Sequence, residues 1–369
     1  MKTSFQLGKI MGIPIKLHIT FLLILPVFAW SFAINPSSFG FSDQDSPLRY
    51  VLSLAAAVSL FVCVVLHELG HSYIAKKHGT NIKNITLFLF GGVSSLEEIP
   101  RDPKTELKMA VAGPGVSFLI GFIFIIIYLF FKSSGESFVD YLFLKPINDP
   151  YLRLVWMIAI LNIVLGIFNL FPAFPMDGGR VLRAWLAERM SYIRATREAA
   201  GIGKMFAIFM GIFGLFYNFW FMLIALFIYI GASEEEKSTE INVKLEGVKI
   251  KDIMSKEVQT VTSGMSVEEL VEYILRFKHM GYPVVDDEQL KGMVTFADVQ
   301  KVPREERKAV KVSQVMTKNI IGLQEEDDAV NALKLMTVNN IGRIIVKKGE
   351  KISGIVSRTD LMRAVQLLE

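Results

Sequence analysis

Six apolar stretches, near residues 17–34, 51–75, 109–131, 154–173, 203–217 and 219–231, dominate the first 231 of the 369 residues. A run of about 20 apolar residues is long enough to cross the hydrocarbon core of a bilayer. Backbone amides there must find partners within the chain, so such runs are confined to helices. The last two runs are short for that length. From Ala232 onward charged residues return at the density of a soluble domain, and Glu234 through Glu240 reads as a polar linker. The predicted organisation is a polytopic α-helical membrane domain over 1–232, with about six transmembrane helices and a small interfacial β element. A linker over 233–247 and an α/β body over 248–369 follow.

Charge sets the orientation. Lys2, Lys9 and Lys16 precede the first run, six basic residues from Lys76 to Lys108 follow the second, and six more from Arg180 to Lys204 follow the fourth. The alternate connections hold only Arg49, then Lys132, Lys145 and Arg153. Because cytoplasmic loops carry the excess of Lys and Arg, both termini and the C-terminal body are expected in the cytosol of a multi-pass cell-membrane protein. No small-residue cleavage site follows the first run, which reads as a retained span and not a removed signal peptide. The net charge of +4 is dispersed, which argues against nucleic acid as a partner. The single Cys63 excludes an intrachain disulfide and reads as a small buried hydrophobe.

The second run contains His67-Glu68-Leu69-Gly70-His71, an H-E-x-x-H pattern. Residues four apart on a helix lie about 40° apart around its axis, so both imidazoles present themselves to one point, as a two-toothed metal grip. Glu68 sits about 100° from His67 on the same turn, beside that point, where it can take a proton from water. Ionisable groups inside a span cost at least roughly 2.5 kcal/mol each, and a bound cation supplies a reason for them. A catalytic zinc takes a third protein ligand. The fourth run ends in Asn169-Leu170-Phe171-Pro172-Ala173-Phe174-Pro175-Met176-Asp177-Gly178-Gly179. Its prolines force the helix open at a depth where irregular backbone must line protein or a cavity. Asp177 follows at the same depth as the two histidines; a helix N-cap is its commoner use, and a metal ligand is the reading preferred here.

The paired signatures, H-E-x-x-H in one span and N-x-x-P-x-x-P-x-D-G in another, resemble those of the site-2 protease family of intramembrane metalloproteases, over about residues 5–232. The resemblance implies one Zn2+ per chain held by His67, His71 and Asp177, with Glu68 as the general base that activates water. It implies a catalytic place for Asn169 near the scissile carbonyl, and hydrolysis of transmembrane protein substrates in the lipid bilayer. Ala112-Gly113-Pro114-Gly115-Val116-Ser117 is a further family feature, read as small residues that let helices approach. A helical substrate must unwind before it is cut. The strand-forming segment Ile85 through Leu96, with its Phe90-Gly91-Gly92 break, offers an edge for an extended substrate or else a packing hairpin.

The C-terminal body reads as a duplication. Ile253-Met254-Ser255 and Val315-Met316-Thr317 are 62 residues apart, as are Thr295-Phe296-Ala297-Asp298 and Ser357-Arg358-Thr359-Asp360. Each copy has an amphipathic helix and short strands. This resembles a tandem pair of CBS domains, over 248–303 and 310–369. The resemblance implies adenine-nucleotide binding, AMP or ATP, with Thr295, Asp298, Ser357 and Asp360 on ribose, and a homodimer through these domains. The alternative for both acids is capping of the helices that follow. Pro283 has no counterpart in the second copy. The competing function is a CBS-regulated transporter or channel, since polar residues in spans also mark ion pathways. It leaves the four-residue spacing of the histidines and the Pro-x-Met-Asp-Gly segment without a purpose.

Overall fold

The computed structural model describes residues 4–36, 38–80, 82–88, 91–96, 102–132, 147–349 and 351–367, which divide into two compact units, Met1–Lys237 and Ser238–Glu369.

The first unit begins with a hairpin. Strands β1 (Ser4–Ile10) and β2 (Ile13–His18) are joined through Met11 and Gly12, both at positive φ, a pairing suited to the twist of a two-residue hairpin. Helices α1 (Phe21–Ile34) and α2 (Ser46–Lys77) follow, then β3 (Ile82–Phe88) and β4 (Gly91–Leu96). The sheet order is β1-β2-β3-β4, with β2 parallel to β3 and the other neighbours antiparallel. The remaining helices are α3 (Pro103–Phe131), α4 (Pro150–Asn169), α5 (Asp177–Ala187), α6 (Tyr192–Tyr217) and α7 (Phe219–Lys244).

Among the described residues four helices, α2, α3, α4 and α6, are long and apolar enough to cross a membrane, where about six spans were expected. The first apolar run falls short because its start is drawn into β2, which leaves α1 with 14 residues. At 1.5 Å per residue that is about 21 Å, less than the roughly 30 Å core. Helix α7 carries its continuous apolar run in its first half and then runs through Glu234, Glu235 and Glu236. The bundle's outer faces are apolar, with Phe130, Phe209 and Phe216 among the most exposed side chains, as suits contact with acyl chains.

Small residues bring the helices together. A side chain at Gly70 of α2 would lie 2.9 Å from both the Ala112 carbonyl oxygen and Val116 Cγ2 of α3, so this crossing admits only glycine. At the other end of the bundle, Arg153 at the start of α4 is buried and donates from Nε to the Ile147 carbonyl (2.7 Å), from Nη1 to the Gly40 carbonyl (2.9 Å) and from Nη2 to Asp43 Oδ2 (2.8 Å). One guanidinium thus ties the α1–α2 connection to α4.

The second unit shows why two repeats fold as one body. Strands β5 (Gly281–Asp286) and β6 (Gln289–Thr295) pair in the first copy, and β7 (Gly322–Gln324), β8 (Arg343–Lys348) and β9 (Lys351–Ser357) in the second. The lead-in segments are exchanged. Ile250, at the start of copy one, is buried in the core of copy two with Ile344, Val346 and Leu361. Val312, at the start of copy two, is buried in the core of copy one with Leu270, Val284 and Val294. The bridges Ser255 to Ile355 and Met293 to Thr317 are the same contact displaced by the repeat.

The Arg153 clamp predicts a pH dependence. Its hydrogen bonds lower the Asp43 carboxyl to about 2. Since an unfolded Asp titrates near about 3.9, the contribution is present above that pH and lost as pH falls toward the folded value. Wild-type protein in detergent should therefore lose more thermal stability between about pH 4 and pH 2 than Asp43→Asn does, as followed by circular dichroism melts.

Candidate metal centre

His67 and His71 stand one turn apart on α2, at 4% and 8% exposure, and Asp177 is the first residue of α5, at 8%. The N-cap place is taken by Met176, whose side chain makes no capping bond. Asp177 is therefore not spent as the cap. Its Oδ2 lies 3.2 Å from His67 Nε2 and 3.0 Å from His71 Nε2, and the two Nε2 atoms are 3.2 Å apart. Three potential ligand atoms from two elements 110 residues apart in sequence thus form a nearly equilateral triangle.

Each imidazole is aimed by its other nitrogen. His71 Nδ1 donates to the Met109 carbonyl of α3 at 2.7 Å, and His67 Nδ1 is 2.9 Å from Ser117 Oγ on the same helix. A carbonyl can only accept, so the neutral His71 ring carries its proton on Nδ1 and turns the Nε2 lone pair toward Asp177. His71 Nε2 and Asp177 Oδ2 thus turn electron pairs toward one point, with His67 Nε2 beside them. Positive charge at the centre of the triangle is what this arrangement requires.

A zinc ion fits that requirement. Bonds of about 2.0–2.1 Å in tetrahedral geometry set ligand atoms about 3.3 Å apart, close to the observed edges. Two nitrogens and one carboxylate oxygen are the donor types of a catalytic zinc, and outer hydrogen bonds to each His are the usual means of orienting it.

Helix α3 carries the support for the centre along one face. A Cβ added at Gly113 would strike His71 Nε2 and lie 2.7 Å from His67 Nε2. Glycine there leaves the volume between the imidazoles open. Pro114 lies inside α3 and has no N–H for the Ala110 carbonyl. The Ala112–Ser117 segment, expected to serve helix packing, therefore also borders the centre.

The other predicted residues are placed as follows. Glu68 is half-buried on α2 next to His67, within electrostatic reach of the His71 ring. Asn169 is half-buried in the last turn of α4, where its Nδ2 donates to the Leu165 carbonyl of its own helix at 2.9 Å. Gly91 and Gly92 pair with Phe88 and Leu87, and their strand β4 is an edge of the sheet. Phe90 lies outside the described residues.

In the C-terminal unit Asp298 Oδ2 accepts from Thr295 Oγ1 (2.7 Å) and Thr295 N (3.1 Å), and Asp360 Oδ2 from Ser357 Oγ (2.6 Å) and Ser357 N (2.9 Å). Both acids cap their helices. Thr295 and Asp298 also line a cavity of about 480 Å³ with Met280, Ile320, Ile341 and Arg343, whereas Ser357 and Asp360 are not part of its wall.

Sequence reasoning counted Arg183 only as an orientation charge and gave Glu106 no role. The structure buries both, at 1% and 2% exposure, with Arg183 Nε donating to Glu106 Oε1 at 2.8 Å. The signal available was Arg180 and Arg183, three residues apart on the helix that opens with Asp177-Gly178-Gly179.

The chain is similar over its whole length to known proteins. The model of peptidase family M50 matches residues 55–211, and that of the CBS domain matches 250–305 and 312–367. The chain is 40% identical over 370 residues to a zinc metalloprotease of Methanocaldococcus jannaschii, covering 100% of this chain and 98% of the relative. It is 29% identical over 384 residues to Rip3 of Mycobacterium tuberculosis, covering 100% and 94%. Among solved structures, the site-2 protease from Methanocaldococcus jannaschii shares 42% identity over 63% of this chain and 95% of that chain, with a TM-score of 0.45.

The space left by Gly113 yields a direct test. Gly113→Ala should reduce bound zinc from about one per chain to a small fraction of that, because the methyl group occupies the position between the imidazoles. Elemental analysis of protein that still elutes as a monodisperse species checks it; full zinc occupancy would show that α3 can yield.

Proposed function

Because the chain belongs to peptidase family M50, the site-2 protease family, and is a membrane zinc metalloprotease with tandem CBS domains, we propose that it cuts transmembrane substrates at the centre formed by His67, His71 and Asp177. The observation that carries this reading is the triangle of two Nε2 atoms and one carboxylate oxygen, with sides of 3.0 to 3.2 Å, inside a helical bundle.

His67, His71 and Asp177 hold the metal, one per chain. When bound, zinc polarises a peptide carbonyl and lowers the pKa of water toward neutrality. Glu68 takes the proton from the attacking water on its carboxylate; its neighbouring place on the helix turn that carries His67 supports this role. Asn169 stands where α4 opens toward Asp177, and its amide exchanges the Leu165 bond for one to the substrate carbonyl. The substrate helix must unwind at the cleavage point, and the edge of β4 around Gly91 and Gly92 receives it as an added strand. The bundle walls limit water to the site.

The distribution of Lys and Arg supports a topology with both termini and the CBS domains in the cytosol. There the cavity beside Thr295 and Asp298 takes an adenine nucleotide, AMP or ATP, with Ser357 and Asp360 as the equivalent pair in the second copy. The nucleotide adjusts substrate cleavage, and the modules pair two chains.

Glu68→Gln should retain about one zinc per chain while cleavage of a single-span substrate in detergent falls by at least about 10²-fold, the usual contribution of a positioned base. Cleavage at the wild-type rate would remove Glu68 from the mechanism. Saturating AMP or ATP should change the wild-type rate by about fivefold or more, and Asp298→Ala should abolish the change. Equal rates with and without nucleotide would refute the regulatory part alone.

A further inference from the structure

Arg183 stands six residues beyond Asp177 on α5, an 11-residue helix. Its guanidinium is 1% exposed and held from four directions. Nε donates to Glu106 Oε1 of α3 at 2.8 Å, and Nη1 donates to Glu235 Oε1 of α7 at 2.7 Å. The rings of Phe174 and Tyr192 each lie 5.0 Å from its Cζ. Phe174 belongs to the loop that delivers Asp177, and Tyr192 opens α6.

Helix α3 supplies the reference for this clamp. Glu106, Met109, Gly113 and Ser117 recur at intervals of three and four residues, so they share one face. That face offers Glu106 to Arg183, the Met109 carbonyl to His71, open volume to both imidazoles at Gly113, and Ser117 to His67. The helix that aims both histidines is therefore the one to which α5 is tied.

We propose that Arg183 is a positioning residue for Asp177, with Glu106 and Glu235 as the two arms of its clamp; this rests on the reading of Asp177 as a metal ligand. A short helix behaves as a rigid body, so holding the guanidinium in one plane holds the roll of α5 and the direction of the carboxylate at its first residue. Buried ion pairs add little net stability compared with apolar residues of similar size, yet the guanidinium fork accepts only a narrow range of orientations. Orientation is what the clamp supplies. The Glu235 arm comes from the helix on which the chain leaves for the C-terminal unit, and its carboxylate is 25% exposed, so it can be altered while Arg183 keeps Glu106.

The test uses full-length, zinc-loaded protein in detergent. Zinc loss to excess chelator is followed with a zinc-sensitive dye, beside thermal melts of the zinc-free protein. Glu235→Gln should speed zinc loss by about three- to tenfold and leave the zinc-free melting temperature unchanged. Arg183→Lys, which keeps the charge but not the fork, should speed it by about tenfold or more. Asp177→Ala provides the reference. If it speeds zinc loss while Glu235→Gln and Arg183→Lys do not, the clamp is structural only and the proposal falls. If Asp177→Ala itself has no effect, the ligand assignment falls and takes the proposal with it.

Discussion

Two imidazole lone pairs and a carboxylate oxygen, 3.0 to 3.2 Å apart inside a bundle of apolar helices, are stable together only around positive charge. That requirement reaches outward through the fold. It asks for a neighbour that gives up its own side chain, which is Gly113, and for acceptors that take the proton on the far side of each ring, which are the Met109 carbonyl and Ser117. All three lie on α3, and the tight α2–α3 crossing at Gly70 is what brings them within reach. The metal centre and the packing of the bundle are therefore one problem with one solution. Small residues that let helices approach also leave open the volume between the two imidazoles.

Buried charge is arranged in the same way at both ends of the first unit. Arg153 gathers the Gly40 and Ile147 carbonyls and Asp43 where α4 begins, and Arg183 gathers Glu106 and Glu235 beside the centre. Where a lone charge would be costly in a bundle interior, a guanidinium with several partners adds directional ties between segments that also pack through apolar side chains. In the C-terminal unit Arg343 of the second copy donates to the Gly281 carbonyl of the first at 2.9 Å. The two copies are locked by exchange of Ile250 and Val312, so each core is completed by the other copy's lead-in residue.

Much of this architecture was legible before any coordinates. H-E-x-x-H has a four-residue period that only a helix turns into a single point, and a 62-residue offset identifies a duplication without reference to packing. Span number was less legible, because hydropathy does not say where a strand ends and a helix starts; β2 took residues that the first apolar run included. Asn169 is a similar case. Its place in the motif says nothing of its rotamer, and its amide faces back to Leu165.

The sequence by itself determined the elements that are local. Helices at apolar runs, the histidine pair and the break at Pro172 and Pro175 all follow from neighbours within a few residues. Tertiary structure decided which distant groups meet. Asp177 reaches His67 across 110 residues, Ser117 reaches it across 50, and Arg183 finds Glu106 across 77. Periodicity fixes the face on which a residue lies, but helix crossing and rotation fix what that face touches, and these are set by the whole packed bundle.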